Sequence, residues 1–554
     1  MPASIRSVVI ITPARPLDYS RDYVCLPREY GTPAYDQRED VQAIRAAMND
    51  NLARLDEHIH FTERIRGRKV VLKPNLVTVF HDLGMQQRDY PETTDPRLID
   101  AVILFLQQYT SRIVIAESAG RGMPTRAAFH ITGLDRLARR RGVELVALEE
   151  QPAERYLLPK ARVMKEIVVP QLFSEIIHGE AFYISMPKMK TNLYAGVTLG
   201  FKNAMGVLTY NLRQRNHTYD IDQKLVDILH LFRADLVIID GIVGGEGNCP
   251  APVDPVQSRV ILSGNQGVET DRAAVRLMGL DPAEIPLMRT ADENGFSDPA
   301  VEIVGEAPIT PYRPADPSLL GEWMRTNYPN VRVLIGHSMN HAPISDGRRP
   351  FTPAQLCALE NVCRGGCQAA VRYAFDMLYH EGCRRDFHLA VIIGAGSEDH
   401  GQRLYFDAAG TPFTAEQIAA LPGKKLAVGS CAAPLQGRVD RYVEGCMPFP
   451  NSPHMLLHQL SGTACRVISF RNRYLLGGLL ATLQMCERRK ALLRSGRRLD
   501  IPLHHENKHY QPRPFTAEEL EMDCILEPFA PLTPAEIRAL CAAENRSVLA
   551  TFLP

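Results

Sequence analysis

FYISMPKMKTNLYAGVTLGFKN, residues 182–203, begins as a buried strand and then changes character. Phe182 to Met186 is a largely apolar run that stops at Pro187, the pattern of a strand covered on both faces. Lys188, Lys190 and Lys202 follow among glycines and small residues, with Asn192 and Asn203 beside them. Lysine supplies positive charge and glycine lets the backbone approach closely, so such a stretch suits an anion. The alternative is a charged loop lying over a sheet edge.

The surrounding chain repeats strand, loop and helix. KVVLKPNLV (69–77), SRIVIAES (111–118), VELVALE (143–149), AFYISMP (181–187), ADLVIIDG (234–241) and SRVILSG (258–264) read as strands. PRLIDAVILFLQQY (96–109) and AAFHITGLDRLARRRG (127–142) have helical spacing. Strands alternating with helices predict an α/β fold with a mainly parallel sheet, whose ligands sit at the carboxyl ends of the strands. Proline-rich 282–329 predicts a linker or covering arm. A second alternating region follows: NVRVLIGHS (330–338), a helix near 353–380, FHLAVIIGAGSED (387–399), KKLAVGSCA (424–432) and TACRVISF (463–470). The expected organisation is therefore two α/β domains, 1–281 and 330–486, each with a sheet flanked by helices. A basic, mostly helical C-terminal tail occupies 487–554.

Four strand ends of the first domain carry polar groups: Lys73-Pro74-Asn75, Glu117-Ser118, Lys188 with Lys190, and Asp240-Gly241. Together they predict one site. Lys73 and Asn75 line its floor, Lys188, Lys190 and Lys202 supply charge, and Glu117 and Asp240 orient lysines or take protons. Any single lysine is as readily a solvated side chain.

Lys+Arg and Asp+Glu both number 63, so no charge excess argues for nucleic acid or a membrane surface. No apolar run approaches the ~18 residues that span a bilayer. The start, MPASIRSVVIITPARP, reads as a first strand ending at Pro13 rather than a signal peptide, and the expected location is the cytoplasm.

Ten of the twelve cysteines lie beyond residue 350, which points to a site rather than a disulfide framework. CALENVCRGGC supplies Cys363 and Cys367, four apart and so on one face of a helix. AVGSCAAP places Cys431 after a strand, and YVEGCMPFPN places Cys446 in a Gly/Pro turn. Four thiolates shaped by glycine and proline suit a [4Fe–4S] cluster, zinc uses the same donors, and buried thiols remain the plain alternative. Cys383 and Cys465 are reserve ligands. His337 and His341 in GHSMNHAPISDGRR have the spacing of paired metal ligands, although Pro343 and Gly347 make the stretch a loop.

Seven stretches in order, VVLKPNLV, TTDPRLIDAV, IAESAG, MPKMKTN, FKNAMG, LVIIDGIVGGEG and GVETDRAAV, resemble a large bacterial and archaeal family defined by a domain of unknown function, over about residues 67–280. Many members of that family carry ferredoxin-type iron–sulfur modules. Its usual Lys-x-His reads Lys190-Thr191-Asn192 here. LYAGVTLGFKNAMG with RNH (193–217) is also similar to nickel-dependent lactate racemase, which implies a cofactor tether at Lys202 and a nickel ligand at His217. The Cys431 and Cys446 motifs resemble the small subunit of nickel–iron hydrogenases, which implies that both bind a tetranuclear cluster.

The expected function is an iron–sulfur redox enzyme or electron-transfer protein acting on an anionic carboxylate or phosphate at the interdomain cleft. Lys188, Lys190, Lys202 and Asn203 are its catalytic candidates. Lys73, Asn75, Glu117, Asp240 and His217 bind substrate, Cys363, Cys367, Cys431 and Cys446 bind metal, and an electron-transfer partner is implied. The alternatives are a racemase-like enzyme that uses Lys202 with nickel and a zinc-stapled binding protein.

Overall fold

The computed structural model describes residues 6–17, 25–77, 91–120, 124–339, 350–399, 402–449, 451–465, 475–501 and 512–552. The chain is α/β with two large sheets flanked by helices. The first sheet contains β1 (Val8–Pro13), β2 (Lys69–Pro74), β3 (Ile113–Glu117), β4 (Glu144–Ala147), β5 (Ala181–Met186), β6 (Lys188–Asn192), β7 (Leu236–Glu246), β8 (Val260–Gly264) and β9 (Glu302–Val304). Its order is β9-β1-β8-β7-β5-β2-β3-β4, and β6 pairs with β7. β7, β5, β2, β3 and β4 run parallel, so their carboxyl ends share one edge.

Strand alternation builds the two faces. Val70 and Leu72 pack with Ile44, Met48 and Leu52 of α1 (Glu39–Ile59) and with Leu98 and Val102 of α2 (Pro96–Leu106). Val71, Val114 and Tyr183 face the other way. They pack with Leu212 of α3 (Tyr210–Asn216) and with Val268 and Ala274 of α4 (Gly267–Leu277).

Two strands differ from expectation. Residues 188–192, expected to follow the end of a strand, form a strand of their own, β6, in register with β7 at Asp240↔Lys188 and Gly245↔Lys190. Asp240 was expected at a strand end, yet β7 continues to Glu246. Pro187 interrupts β5, and the longer β7 then pairs first with β5 and next with β6. Glycine permits this close approach: a Cβ on Gly244 would lie 1.7 Å from Tyr312 Oη and 2.8 Å from Met189 O.

The second sheet contains β10 (Val331–Ile335), β11 (Leu389–Ile393), β12 (Gln402–Phe406), β13 (Lys424–Val428) and β14 (Arg441–Val443), in the order β12-β10-β11-β13-β14. All neighbours are parallel except β12 with β10. Segment 282–329 serves both sheets: β9 joins the first, while Leu319, Leu320 and Met324 enter the core of the second.

The helix expected near 353–380 is two helices, α5 (Pro353–Val362) and α6 (Ala369–His380). Between them Gly366 takes non-helical φ −122 and ψ −119. The break lies against the first sheet's loops, where a Cβ on Gly365 would come 2.5 Å from Thr218 O. Cys363 and Cys367 therefore flank a turn instead of sharing a helix face.

Next come α7 (Asn451–Ser461), α8 (Leu475–Arg494) and α9 (Pro534–Phe552). The C-terminal segment returns to the first sheet's side. Asp500 accepts from Thr209 Oγ1 at 2.6 Å and Asn211 N at 2.8 Å, which fixes the start of α3. A short strand, Ile525–Leu526, pairs with Ala153–Leu157. The strand expected at 463–470 lies outside the described residues beyond Cys465. No helix among the described residues is long and apolar enough to cross a membrane.

Candidate functional site

The lysines expected at the shared edge are buried, so the charged-loop alternative fails. Lys73 is 1% exposed and Lys188 and Lys190 are 0% exposed. Burial of a cation is costly unless it is paired and hydrogen-bonded. Lys188 Nζ lies 2.8 Å from Asp240 Oδ2, and that oxygen also accepts from Asp95 N at 2.8 Å. Lys73 Nζ lies 2.9 Å from Glu117 Oε1 and donates to Asn203 Oδ1 at 2.9 Å. Lys190 Nζ donates to Asn75 Oδ1 at 2.7 Å and Glu92 O at 2.6 Å. Burial lowers its pKa to about 8.

Asn203 ties these groups together. Its Oδ1 also accepts from Asn75 Nδ2 at 3.3 Å, and its Nδ2 donates to Lys73 O at 3.2 Å and Ser185 Oγ at 3.1 Å. Gly206 leaves room for the Lys73–Glu117 pair, since a Cβ there would lie 3.0 Å from Lys73 Nζ. Asp271 of α4 holds the turn that carries Lys202. It accepts from Gly200 N at 2.6 Å and Phe201 N at 3.0 Å. The Asp of GVETDRAAV thus positions the Lys of FKNAMG.

Lys202 differs from the other three. It is half-buried, and among the described residues no carboxylate or carbonyl pairs with its ammonium group. Burial, then the charges of Lys190, Lys73 and Arg213, lower its pKa to about 7. Every charged neighbour acting on it is a cation. Arg213, missing from the sequence reading, donates to Ser118 O at 2.9 Å and Ala119 O at 3.0 Å and keeps its charge uncompensated by carboxylate at those contacts. It lies inside the stretch that drew attention to His217, four residues before it on α3.

His217 is also half-buried, edge-on to Tyr194 with ring centroids 5.1 Å apart. Burial and then Lys202 and Arg213 hold its pKa well below the usual histidine range, so it is neutral at pH 7. Lys202, Lys190, Arg213 and neutral His217 thus form a positive pocket with one available ammonium group.

The four cysteines come from separate elements. Cys363 follows α5, Cys367 precedes α6, and Cys431 and Cys446 follow β13 and β14. Every pair among them interacts electrostatically. The Cys367 hydrogen bond lowers the Cys363 pKa to about 7, while burial pushes Cys431 up to about 11 and raises Cys446 further. A Cβ on Gly429, at φ +93, would lie 2.4 Å from Cys367 Sγ, and one on Gly366 would lie 2.8 Å from Cys363 Sγ. Both glycines are therefore required for the sulfurs to sit where they do.

α3 and the residue that ends it join the two sites. His217 O lies 3.8 Å from where a Gly366 Cβ would stand, and Gln214 Nε2 donates to Met447 O at 3.0 Å. Lys224, further along the chain, feels the charges of Cys446 and Cys363. Leu193, Tyr194, Ala369, Tyr373 and Met447 form an apolar cluster beside it.

Among the described residues, one group of three or more Cys, His, Asp or Glu has all its ligand atoms within 4.8 Å of one another: Glu381, His454, His458 and Cys465. It could hold a metal ion. The sequence reading named Cys465 as a reserve ligand and missed the rest, although PHMLLHQL (453–460) shows two histidines four apart. His337, at the end of β10, is buried beside Phe351 with ring centroids 6.3 Å apart, and His341 lies outside the described residues.

A thylakoid-associated protein of Synechocystis sp. is 28% identical to the chain over 126 residues, which are 22% of this chain and 39% of that relative. The match thus spans well under half of the relative's length. Residues 70–276, which contain the whole lysine pocket and none of the four clustered cysteines, match the model of the family described as "Domain of unknown function (DUF362)".

Proposed function

We propose that this protein is an iron–sulfur redox protein that acts on an anionic small molecule held at Lys202. The observation that carries the reading is α3 with His217 at its end, which reaches the lysine pocket through Arg213 and His217 and the residues beside Cys446 and Cys367, namely Met447 and Gly366, through Gln214 and His217. Cys363, Cys367, Cys431 and Cys446 are the ligands in this reading. Their donor set is all sulfur. Cys363 and Cys367 are hydrogen-bonded to each other, and Cys431 and Cys446 are close enough for their charges to act on them. A [4Fe–4S] cluster supplies one-electron chemistry when bound.

The chain's own residues do the rest. Lys202 and Arg213 neutralise a carboxylate or phosphate, with Lys190 behind them. The Lys73–Glu117 and Lys188–Asp240 pairs keep the floor rigid. Neutral His217 stands ready to accept a proton beside the bound anion. An electron-transfer partner belongs to this reading. Anaerobic iron and sulfide analysis tests the cluster, and sulfate protection of Lys202 tests the pocket.

One observation favours a second reading. An amine with a pKa near 7 beside a neutral histidine suits a nucleophile or cofactor tether, as in a nickel-dependent racemase. Bound nickel with a covalent mass increment on Lys202 would select it, and an unmodified Lys202 with four iron atoms would exclude it.

A further inference from the structure

The group at the end of α6 lies apart from both sites already described. Glu381 caps α6, His454 and His458 are four apart on α7, and Cys465 follows that helix. Glu381, His454 and His458 are 1%, 3% and 2% exposed. His454 Nε2 lies 3.2 Å from Glu381 Oε1, His458 Nε2 lies 2.9 Å from Glu381 Oε2, and the two Nε2 atoms are 3.1 Å apart.

Hydrogen bonds among these groups leave part of this geometry unsatisfied. Despite the 2.9 Å separation, Glu381 Oε2 is buried and has no aligned hydrogen-bond partner. Two imidazole nitrogens facing each other share at most one proton, while the carboxylate needs donors from both. The four ligand atoms, one from each residue, all lie within 4.8 Å of one another. Two histidine nitrogens bound to one zinc ion lie about 3.3 Å apart, given bonds of about 2.0–2.1 Å and tetrahedral angles. The other nitrogen of His458 contacts Thr463 Oγ1 at 2.8 Å, the kind of outer contact that fixes a ligand's tautomer.

We propose that Glu381, His454, His458 and Cys465 bind a structural zinc ion. Mixed nitrogen, oxygen and sulfur donors suit Zn²⁺, and four protein ligands leave no open position for catalysis. Cys465 binds as thiolate, its proton passing to solvent. Cys383, which also reaches His458, stands beside the set. The ion joins the end of α6 to α7 and the segment after it. Cys367 lies just ahead of α6 and Cys446 just ahead of α7, so the ion holds the frame of the cysteine group.

The site stands whether or not the iron–sulfur reading does. The full chain, purified without chelator, is analysed for zinc and then stripped and refilled with Co²⁺. About one zinc per chain is expected. The Co²⁺ form is expected to show visible bands and a near-ultraviolet thiolate band. Cys465→Ser should remove the thiolate band and keep the visible ones. His454→Gln with His458→Gln should abolish zinc, whereas Cys431→Ala should leave it. Failure of the unmodified chain to take up zinc or Co²⁺ overturns the proposal. So does zinc that survives the double histidine change and disappears with Cys431→Ala. Should the histidine variant fail to fold, the Cys465→Ser spectrum decides, and an unchanged thiolate band refutes the assignment.

Discussion

Lys202 offers the sharpest test of the pocket because its titration requires no knowledge of the substrate. An ordinary lysine with a pKa near 10.4 is neutral in roughly one molecule in 2,500 at pH 7. With a pKa of about 7, Lys202 is half neutral there, over a thousandfold more. Acylation with a small amine reagent across pH 5–11, read by mass spectrometry of the peptide containing Lys202, gives the midpoint directly. Lys202→Met identifies the signal by removing it. The expected midpoint is near 7. Lys190→Met should raise it more than Arg213→Gln, since Lys190 contributes the larger repulsion. Sulfate should also raise it, because a bound anion favours the ammonium form. A midpoint above about 9.5, or one that sulfate does not move, refutes the positive pocket.

Other outcomes follow from the same contacts. Asp240→Asn leaves Lys188 charged in the core without its carboxylate and should cost about 3–5 kcal/mol in guanidinium unfolding at pH 7; a loss below about 1 kcal/mol contradicts the buried pair. Asp271→Ala frees the Gly200–Phe201 turn, so the Lys202 midpoint should move toward an ordinary lysine value, and an unchanged midpoint removes Asp271 from its positioning role. Sulfate carries a constant charge from pH 6 to 8, whereas the Lys202 ammonium falls from about nine-tenths to about one-tenth of molecules. Sulfate affinity measured by calorimetry should therefore weaken as pH rises through 7, by up to about tenfold, and a flat profile would exclude Lys202 as the anion's main contact. Gly429→Ala brings a Cβ to 2.4 Å from Cys367 Sγ at φ +93 and should lose bound iron while keeping the zinc of the other site.

The sequence carried the strands through their apolar runs and the pocket through its lysines, because both signals are local. It did not carry the burial of KMKTN. A run with two lysines and no apolar alternation reads as surface unless Asp240, Asn75 and the Glu92 carbonyl are known to meet it. Arg213 was passed over for a similar reason: its importance comes from its contacts with β3's end, about 95 residues away in sequence, and from its charge beside Lys202. The break between α5 and α6 also follows from a tertiary contact, at Gly365 and Thr218. The His454–His458 pair was legible as helical spacing, but only Glu381, brought in from α6, gives it meaning.

Metal and sulfide content of anaerobically purified protein tests the central claim most directly, with Cys431→Ala and Cys446→Ala alongside. The account predicts a brown protein with about four iron and four sulfide per chain, both lost in either variant. Colourless protein without sulfide, or iron retained in full by both variants, would contradict it.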